Sequence, residues 1–448
     1  MIRHNPPLEQ ETGFRNVIVE LKGTAALQDL AFAAMENPQM GLETAAVPEI
    51  PGISWDPTFP PVQIPRAESP QMAALGIPAE LTEEPTYIVR GVMREEAGVT
   101  PEMAVAFHPA TVQIFADPRI EPFPICPGSP PLGTAADVER LLCVPNLQSR
   151  QMDGQDVLVA IVDTGFNLGY LSSVGKVPAF DAGRSWTFSP SVPPGAAPVN
   201  HGTMCAFDVC IAAPNCTLID VVLLRAGIAF HALLSDAVLA YSHLLRLLRG
   251  PGFFESFRGL VVNNSWGMFH PSWDFPVGHP ANYSDNPSHP FNVIVSVLER
   301  NGTDIVFAAG NCGFNCPDFR CGGVTSSSIY GANSHPQVLS VGGVGIDQVR
   351  VGYSSTGPGR LQPTKPDLCG YTHFSGSGVY VADGGTSAAA PVVAGVAAAV
   401  RTQRRYVPGD PATSPAALRA YLIDHADPKL PSHGNEYGWG IVSGCHFP

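Results

Sequence analysis

The chain has 448 residues, enough for a large α/β domain and a smaller companion. Charged residues are only 14% of it, the formal net charge is −14, and no lysine- or arginine-rich stretch appears, which argues against nucleic acid as a partner. The most apolar helical candidate, Ala388 to Val400, contains Pro391 and Gly395 and falls short of the ~20 residues a membrane span needs, so no membrane partner is expected.

Residues 1–130 read as a small α+β region with Pro-rich linkers. Met1 to Gln10 lacks the apolar core of a secretory signal, which points to the cytoplasm. Asn16 to Leu21 has the pattern of a strand and Ala25 to Met35 that of a helix. Val47 to Pro70 is Pro-rich and reads as an extended connection. Thr86 to Arg90 and Thr111 to Phe115 read as further strands, with a short helix between them at Pro101 to Phe107. A Pro-rich hinge follows, from Pro122 to Pro131.

Residues 131–448 read as a second, larger domain. Thr134 is placed to cap a helix that runs to Leu142. Strands are expected at 157–162, 217–223, 260–265, 304–309 and 337–342. Helices are expected at 201–211, 231–248, 287–300, 386–402 and 414–425. Continuous apolar strands alternating with helices specify a parallel sheet with helices on both faces. Ligands of such sheets bind beyond the carboxyl ends of the strands, where Asp163 and Asn311 fall.

The ten cysteines pull against a cytosolic address. Disulfides, buried thiols and a zinc site all remain open. Cys312, Cys316 and Cys321 offer only three ligands at an unusual spacing for zinc.

Four short segments carry chemistry. Gly384-Gly385-Thr386-Ser387 sets a serine between a tight glycine turn and a small-residue helix, with Pro391 expected in its first turn. At a helix start, unpaired N–H groups and the helix dipole favour the oxyanion that a serine creates when it attacks a carbonyl. Asp163 ends the apolar run Val157 to Val162. His201 opens His-Gly-Thr-Met-Cys-Ala. Asn311 ends Ile305 to Gly310. From Asp163-Thr-Gly, His201-Gly-Thr, Ala309-Gly-Asn311 and Gly-Thr-Ser387-Ala, in that order, the chain resembles the subtilisin-like serine proteases (subtilases, peptidase family S8) from about Gly133 to its end. It departs from their pattern at Met204, where a second histidine often stands.

The resemblance implies a subtilisin-like fold and a hydrolase with a catalytic triad. Ser387 would be the nucleophile, His201 its general base, Asp163 the group orienting the imidazole, and Asn311 an oxyanion donor. Ser265, Trp266 and Gly267 resemble the segment that pairs with an extended peptide, and Ala308, Ala309 and Gly310 the opposite wall. Trp266 is larger than the aliphatic residue often found there. Residues 1–130 would be a prodomain, acting as intramolecular inhibitor or folding aid of a zymogen, or else a permanent accessory or substrate-docking domain. Tyr437 to Val442 resembles the closing strand. No cofactor is required. Calcium often stabilises subtilases, but no ligands can be assigned here, and no metal site is named. The expected activity is that of a serine endopeptidase acting on a peptide or protein. Two alternatives stay open: a peptide ligase or macrocyclase, with Met268 to Pro290 covering the cleft, and an inactive protease-like binding module.

Overall fold

The computed structural model describes residues 14–36, 41–42, 44–65, 85–94, 100–122, 129–187, 192–225 and 231–447. The expectations placed on residues 1–10, on 66–70 of the Pro-rich passage and on 123–128 of the hinge, Cys126 included, lie outside the described residues. The chain divides into two compact units. One takes Met1–Arg119, Leu233–Ser242 and His270–Val297. The other takes Ile120–Ala232, His243–Phe269 and Leu298–Pro448.

The first unit is built on an antiparallel sheet of β1 (Phe14–Lys22), β2 (Ile53–Trp55), β3 (Val62–Ile64), β4 (Thr86–Arg94) and β5 (Thr111–Ala116), with α1 (Ala25–Glu36) and α2 (Pro101–Phe107). β1 lies between β4 and β5, pairing Val19 with Val89 on one side and with Ile114 on the other. Alternate residues Val17, Val19 and Leu21 face one core with Leu27 and Ala31 of α1. The Pro-rich passage is not one long connection: Ile53–Trp55 and Val62–Ile64 both pair with β4. Their prolines flank the strands rather than interrupt the ladders. Phe275 and Ala281, inside the segment Met268 to Pro290 read as a cover over the cleft, join the same apolar core.

The second unit holds an eight-stranded sheet. Its members are β7 (Val157–Asp163), β8 (Ala179–Phe180), β9 (Trp186–Thr187), β10 (Thr217–Val222), β12 (Gly259–Asn264), β14 (Thr303–Ala308), β15 (Leu339–Val344) and β16 (Leu368–Tyr371). The spatial order is β16-β15-β14-β12-β7-β10-β8, with β9 also on β10, and every pairing is parallel. Every residue of β7, β12, β14 and β15 is buried, as in a sheet covered on both faces. The chain leaves β7 for β10 on one side and later returns to β12 on the other. The strand order therefore reverses at β7, the position that opens a crevice at the strand ends. Three short strands lie off this sheet: β6 (Arg119–Pro122), β11 (Ala232–Leu233) and β13 (Trp266–Gly267).

Thr134 caps α3 (Ala135–Leu141) in a reciprocal box with Asp137, as its sequence specifies. Two further helices matter for the site: α4 (His201–Ala212) and α5 (Thr386–Gln403), both buried over nearly their whole length. They pack on each other closely enough that a Cβ on Gly395 would lie 2.4 Å from the carbonyl oxygen of Val209. Only glycine permits that approach. Disulfides join Cys143 to Cys445 and Cys312 to Cys321, and Cys316 is also disulfide-bonded. The cluster after Asn311 is thus disulfide chemistry. Cys205, Cys210, Cys216 and Cys369 are buried thiols. Among the described residues, no helix is long and apolar enough to cross a membrane.

Candidate active site

Asp163 is the last residue of β7. Its Oδ1 accepts the N–H of Thr164 at 2.7 Å, and its two oxygens lie 2.8 and 3.0 Å from Nδ1 of His201. His201 is the first residue of α4, capped by Asn200, whose Oδ1 accepts the His201 N–H at 2.8 Å and the Tyr380 hydroxyl at 2.7 Å. The Gly202 N–H donates to Thr164 Oγ1 at 2.9 Å, which ties the start of α4 to the turn after β7. Two carboxylate oxygens around Nδ1 require a proton there. In the neutral ring Nε2 is then an acceptor. It is buried and has no hydrogen-bond partner among the described residues.

Ser387 is the second residue of α5, which begins at Thr386. Pro391 is therefore not in the first turn, as its sequence position suggested, but inside the helix. A proline there cannot donate to the carbonyl four residues back, which is that of Ser387. That carbonyl instead accepts from Ser265 Oγ at 2.9 Å and from Cys205 Sγ at 3.6 Å. Cys205 Sγ lies in turn 3.8 Å from Asp163 Oδ2 and 3.9 Å from His201 Nδ1. One thiol thus touches Asp163, His201 and the backbone of Ser387. The Ser387 hydroxyl itself donates to the Ser265 carbonyl at 3.2 Å, long for a hydroxyl donor.

Asn311 follows the tight turn at Gly310, whose φ is +112°. Its Oδ1 accepts from the Thr386 backbone N–H at 2.9 Å and from Thr386 Oγ1 at 3.0 Å. A backbone N–H can only donate, so this contact fixes the amide with its oxygen toward α5 and its NH2 as the remaining donor end. Gly310 N–H donates to Thr386 Oγ1 at 3.0 Å, which joins the end of β14 to the start of α5.

Ser265, Trp266, Gly267, Ala308, Ala309 and Gly310 are all buried around the same strand ends. The Trp266 indole donates to the carbonyl of Val162, next to Asp163, at 2.9 Å, and its ring meets Phe307 edge-on at 5.3 Å. Trp266 and Gly267 form β13, which pairs antiparallel with β6: Trp266 faces Pro122 and Gly267 faces Glu121. Asn333 was not singled out from the sequence. Its Nδ2 donates to the Trp266 carbonyl at 2.8 Å and to the Ala308 carbonyl at 2.9 Å, bridging the two expected walls. A lone asparagine in Gly-Ala-Asn-Ser reads only as a turn former.

A buried acidic pair stands behind the histidine. Asp208 falls on the same face of α4 as His201 and Cys205, at i, i+4 and i+7. Burial and the nearby Asp383 push its carboxyl well above the usual range. Asp383 accepts from the Ser377 N–H and hydroxyl, both at 2.5 Å, and burial raises it to about 6. The donor atoms of Asp163, His201 and Cys205 lie within 4.8 Å of one another, close enough for one ion. Burial and the Asp163 charge hold the thiol protonated, however, and Nδ1 is taken by Asp163, so the set fits a hydrogen-bonded pair better than a metal centre.

Comparison with known proteins adds the family. The model of the subtilase family, peptidase S8, matches residues 154–440. No curated protein matches the chain. A crystal structure of MycP1 from the ESX-1 type VII secretion system is 17% identical, covering 72% of this chain and 90% of that one, with a TM-score of 0.47. With the family model spanning well over half its length, the chain belongs to the subtilases, a family of serine proteases.

Proposed function

We propose that the protein is a serine endopeptidase that cuts peptide bonds through an acyl-enzyme on Ser387. The observation that carries this reading is the Asp163–His201 contact, which holds the proton on Nδ1 and leaves Nε2 a buried acceptor, with Cys205 Sγ 3.9 Å from that Nδ1 and 3.6 Å from the Ser387 carbonyl. Ser387 Oγ attacks the substrate carbonyl while its proton passes to Nε2 of His201. Asp163 stabilises the imidazolium. The oxyanion takes a hydrogen bond from the Asn311 NH2 and from the N–H at Ser387. The tetrahedral intermediate collapses as His201 gives its proton to the leaving amine. Water then attacks the ester, losing a proton to His201, and Ser387 Oγ recovers that proton as the acid leaves. Besides the substrate and one water, every group in these steps is supplied by the protein.

An extended substrate would pair with Trp266 and Gly267 and lie against Ala308, Ala309 and Gly310. β6 supports this, since a strand of the chain itself already pairs there. The same pairing supports an inhibitory role for the N-terminal region. The test is labelling by a fluorophosphonate, with the N-terminus of the purified product read by mass spectrometry. Wild type should take the label and lose N-terminal residues, and Ser387→Ala should do neither. A chain freed of its N-terminal region by limited proteolysis that still refuses the probe would sink the proposal.

A further inference from the structure

β6 is an extended strand lying antiparallel on Trp266–Gly267, and its residue opposite Gly267 is Glu121. The Glu121 side chain is buried and forms an ion pair with Nη1 of Arg320. Arg320 is held in place before any peptide is considered. Its Nε and Nη2 form a two-pronged contact with Asp318, at 2.9 and 3.0 Å. Its guanidinium lies 3.6 Å above the centre of the Phe269 ring. The loop that carries it is closed by the Cys312–Cys321 disulfide and hangs from Asn311, whose carbonyl accepts the Asp318 N–H at 2.9 Å. Asp318 and Phe269 thus fix one edge and one face of the guanidinium, and the Nη1 end addresses the strand on Gly267. Such a fixed fork loses little entropy on binding a carboxylate.

We infer that Arg320 is a specificity-determining residue, reading an acidic side chain on the peptide strand that pairs with Gly267. The inference rests on the reading in which that strand position receives substrate. The register locates the acidic residue. Continuing the antiparallel pairing one step sets the next peptide residue opposite Ser265, whose hydroxyl and carbonyl are both bonded to Ser387. That residue precedes the scissile bond, so the acidic side chain belongs to the third residue before the cut. Asp318 already neutralises the formal charge of Arg320. Selectivity therefore comes from a directed, largely desolvated hydrogen bond to a carboxylate rather than from a general positive field.

The test uses the full chain and peptides that differ only at the third residue before the cut: Glu, Gln, Ala or Lys. Cleavage is followed as kcat/KM. In parallel, the same peptides are titrated by fluorescence anisotropy onto a Ser387→Ala, Glu121→Ala chain, in which the resident strand has lost its own carboxylate. The Glu peptide should exceed the Ala peptide by about ten- to a hundred-fold in both measurements, the range for a hydrogen bond to a charged group, with Lys lowest. In Arg320→Ala, Glu and Ala should converge to within about two-fold, while Arg320→Lys should keep part of the preference. Equal handling of Glu and Ala by the Arg320 protein overturns the assignment, and this arm needs no substituted arginine. A binding preference without cleavage or probe labelling would instead overturn the endopeptidase reading and leave the role of Arg320 standing.

Discussion

Asp220→Asn should make the protein lose less stability as the pH rises to neutrality. Asp220 lies on β10, opposite Ile161 of β7 and near Asp163. Its Oδ2 accepts the Gly195 N–H at 2.9 Å, while its Oδ1 is buried without a hydrogen-bond partner among the described residues. Burial, with a smaller push from Asp163, raises its carboxyl from 3.8 to about 7. A carboxyl raised by folding binds more protons in the native than in the unfolded chain. Its contribution is therefore fully present below about pH 4 and is lost as the pH rises to about 7. At 1.36 kcal/mol per pH unit the whole loss is about 4 kcal/mol, of which about 3 kcal/mol falls above pH 5. Asparagine keeps an acceptor for Gly195 and cannot ionise. The assay is urea unfolding, followed by tryptophan fluorescence at pH 5 and pH 8, in a Ser387→Ala background to suppress self-digestion. The asparagine variant should gain about 3 kcal/mol on its parent between the two pH values. Parallel stabilities across that range would refute the reasoning.

Three further outcomes are expected. Trp266→Phe removes the donor to the Val162 carbonyl and should cost about 1–3 kcal/mol; fluorophosphonate labelling of Ser387 should slow as well, because Val162 precedes Asp163, and an unchanged rate would count against that coupling. Arg401→Met strands the buried Asp304, which Arg401 holds at 2.6 and 2.8 Å, and should destabilise by about 3–5 kcal/mol in urea, whereas Arg401→Met with Asp304→Leu should recover much of the loss. Replacing both Cys143 and Cys445 by alanine opens a closure of 302 residues and should lower stability by on the order of 4 kcal/mol in chemical unfolding, with the wild type under reductant moving the same way.

Long apolar runs made the sheet legible. The strand expected at 157–162 is Val157–Asp163, and the helix expected at 386–402 is Thr386–Gln403. Burial on both faces leaves a near-continuous apolar signature, so periodicity and length suffice there. β16 went unread because Leu368–Tyr371 is short and contains Gly370, which admits the backbone of Ala389 where a Cβ would lie 2.4 Å from its carbonyl oxygen. The pairing of β6 with β13 leaves no period, since it joins two-residue stretches of distant segments; only the resemblance marks Trp266 and Gly267 as a pairing segment. Within the site, the motifs carried Asp163, His201, Asn311 and Ser387, because each sits in a backbone setting that its neighbours announce. Asn333, Arg320, Asp208 and Asp383 had no such setting. Their positions depend on tertiary approach, and isolated polar residues in loops and helices look alike in sequence.

The glycine contact between the two central helices has a consequence for how activity can be changed. Gly395 lies eight residues past Ser387 and Val209 eight past His201, so the touching point is about 12 Å down each rod. In the proposed mechanism, the spacing of hydroxyl and imidazole would then depend on a contact at the far end of a two-bladed calliper. An added methyl there would push the two rods apart while leaving the side chains of Ser387 and His201 unchanged.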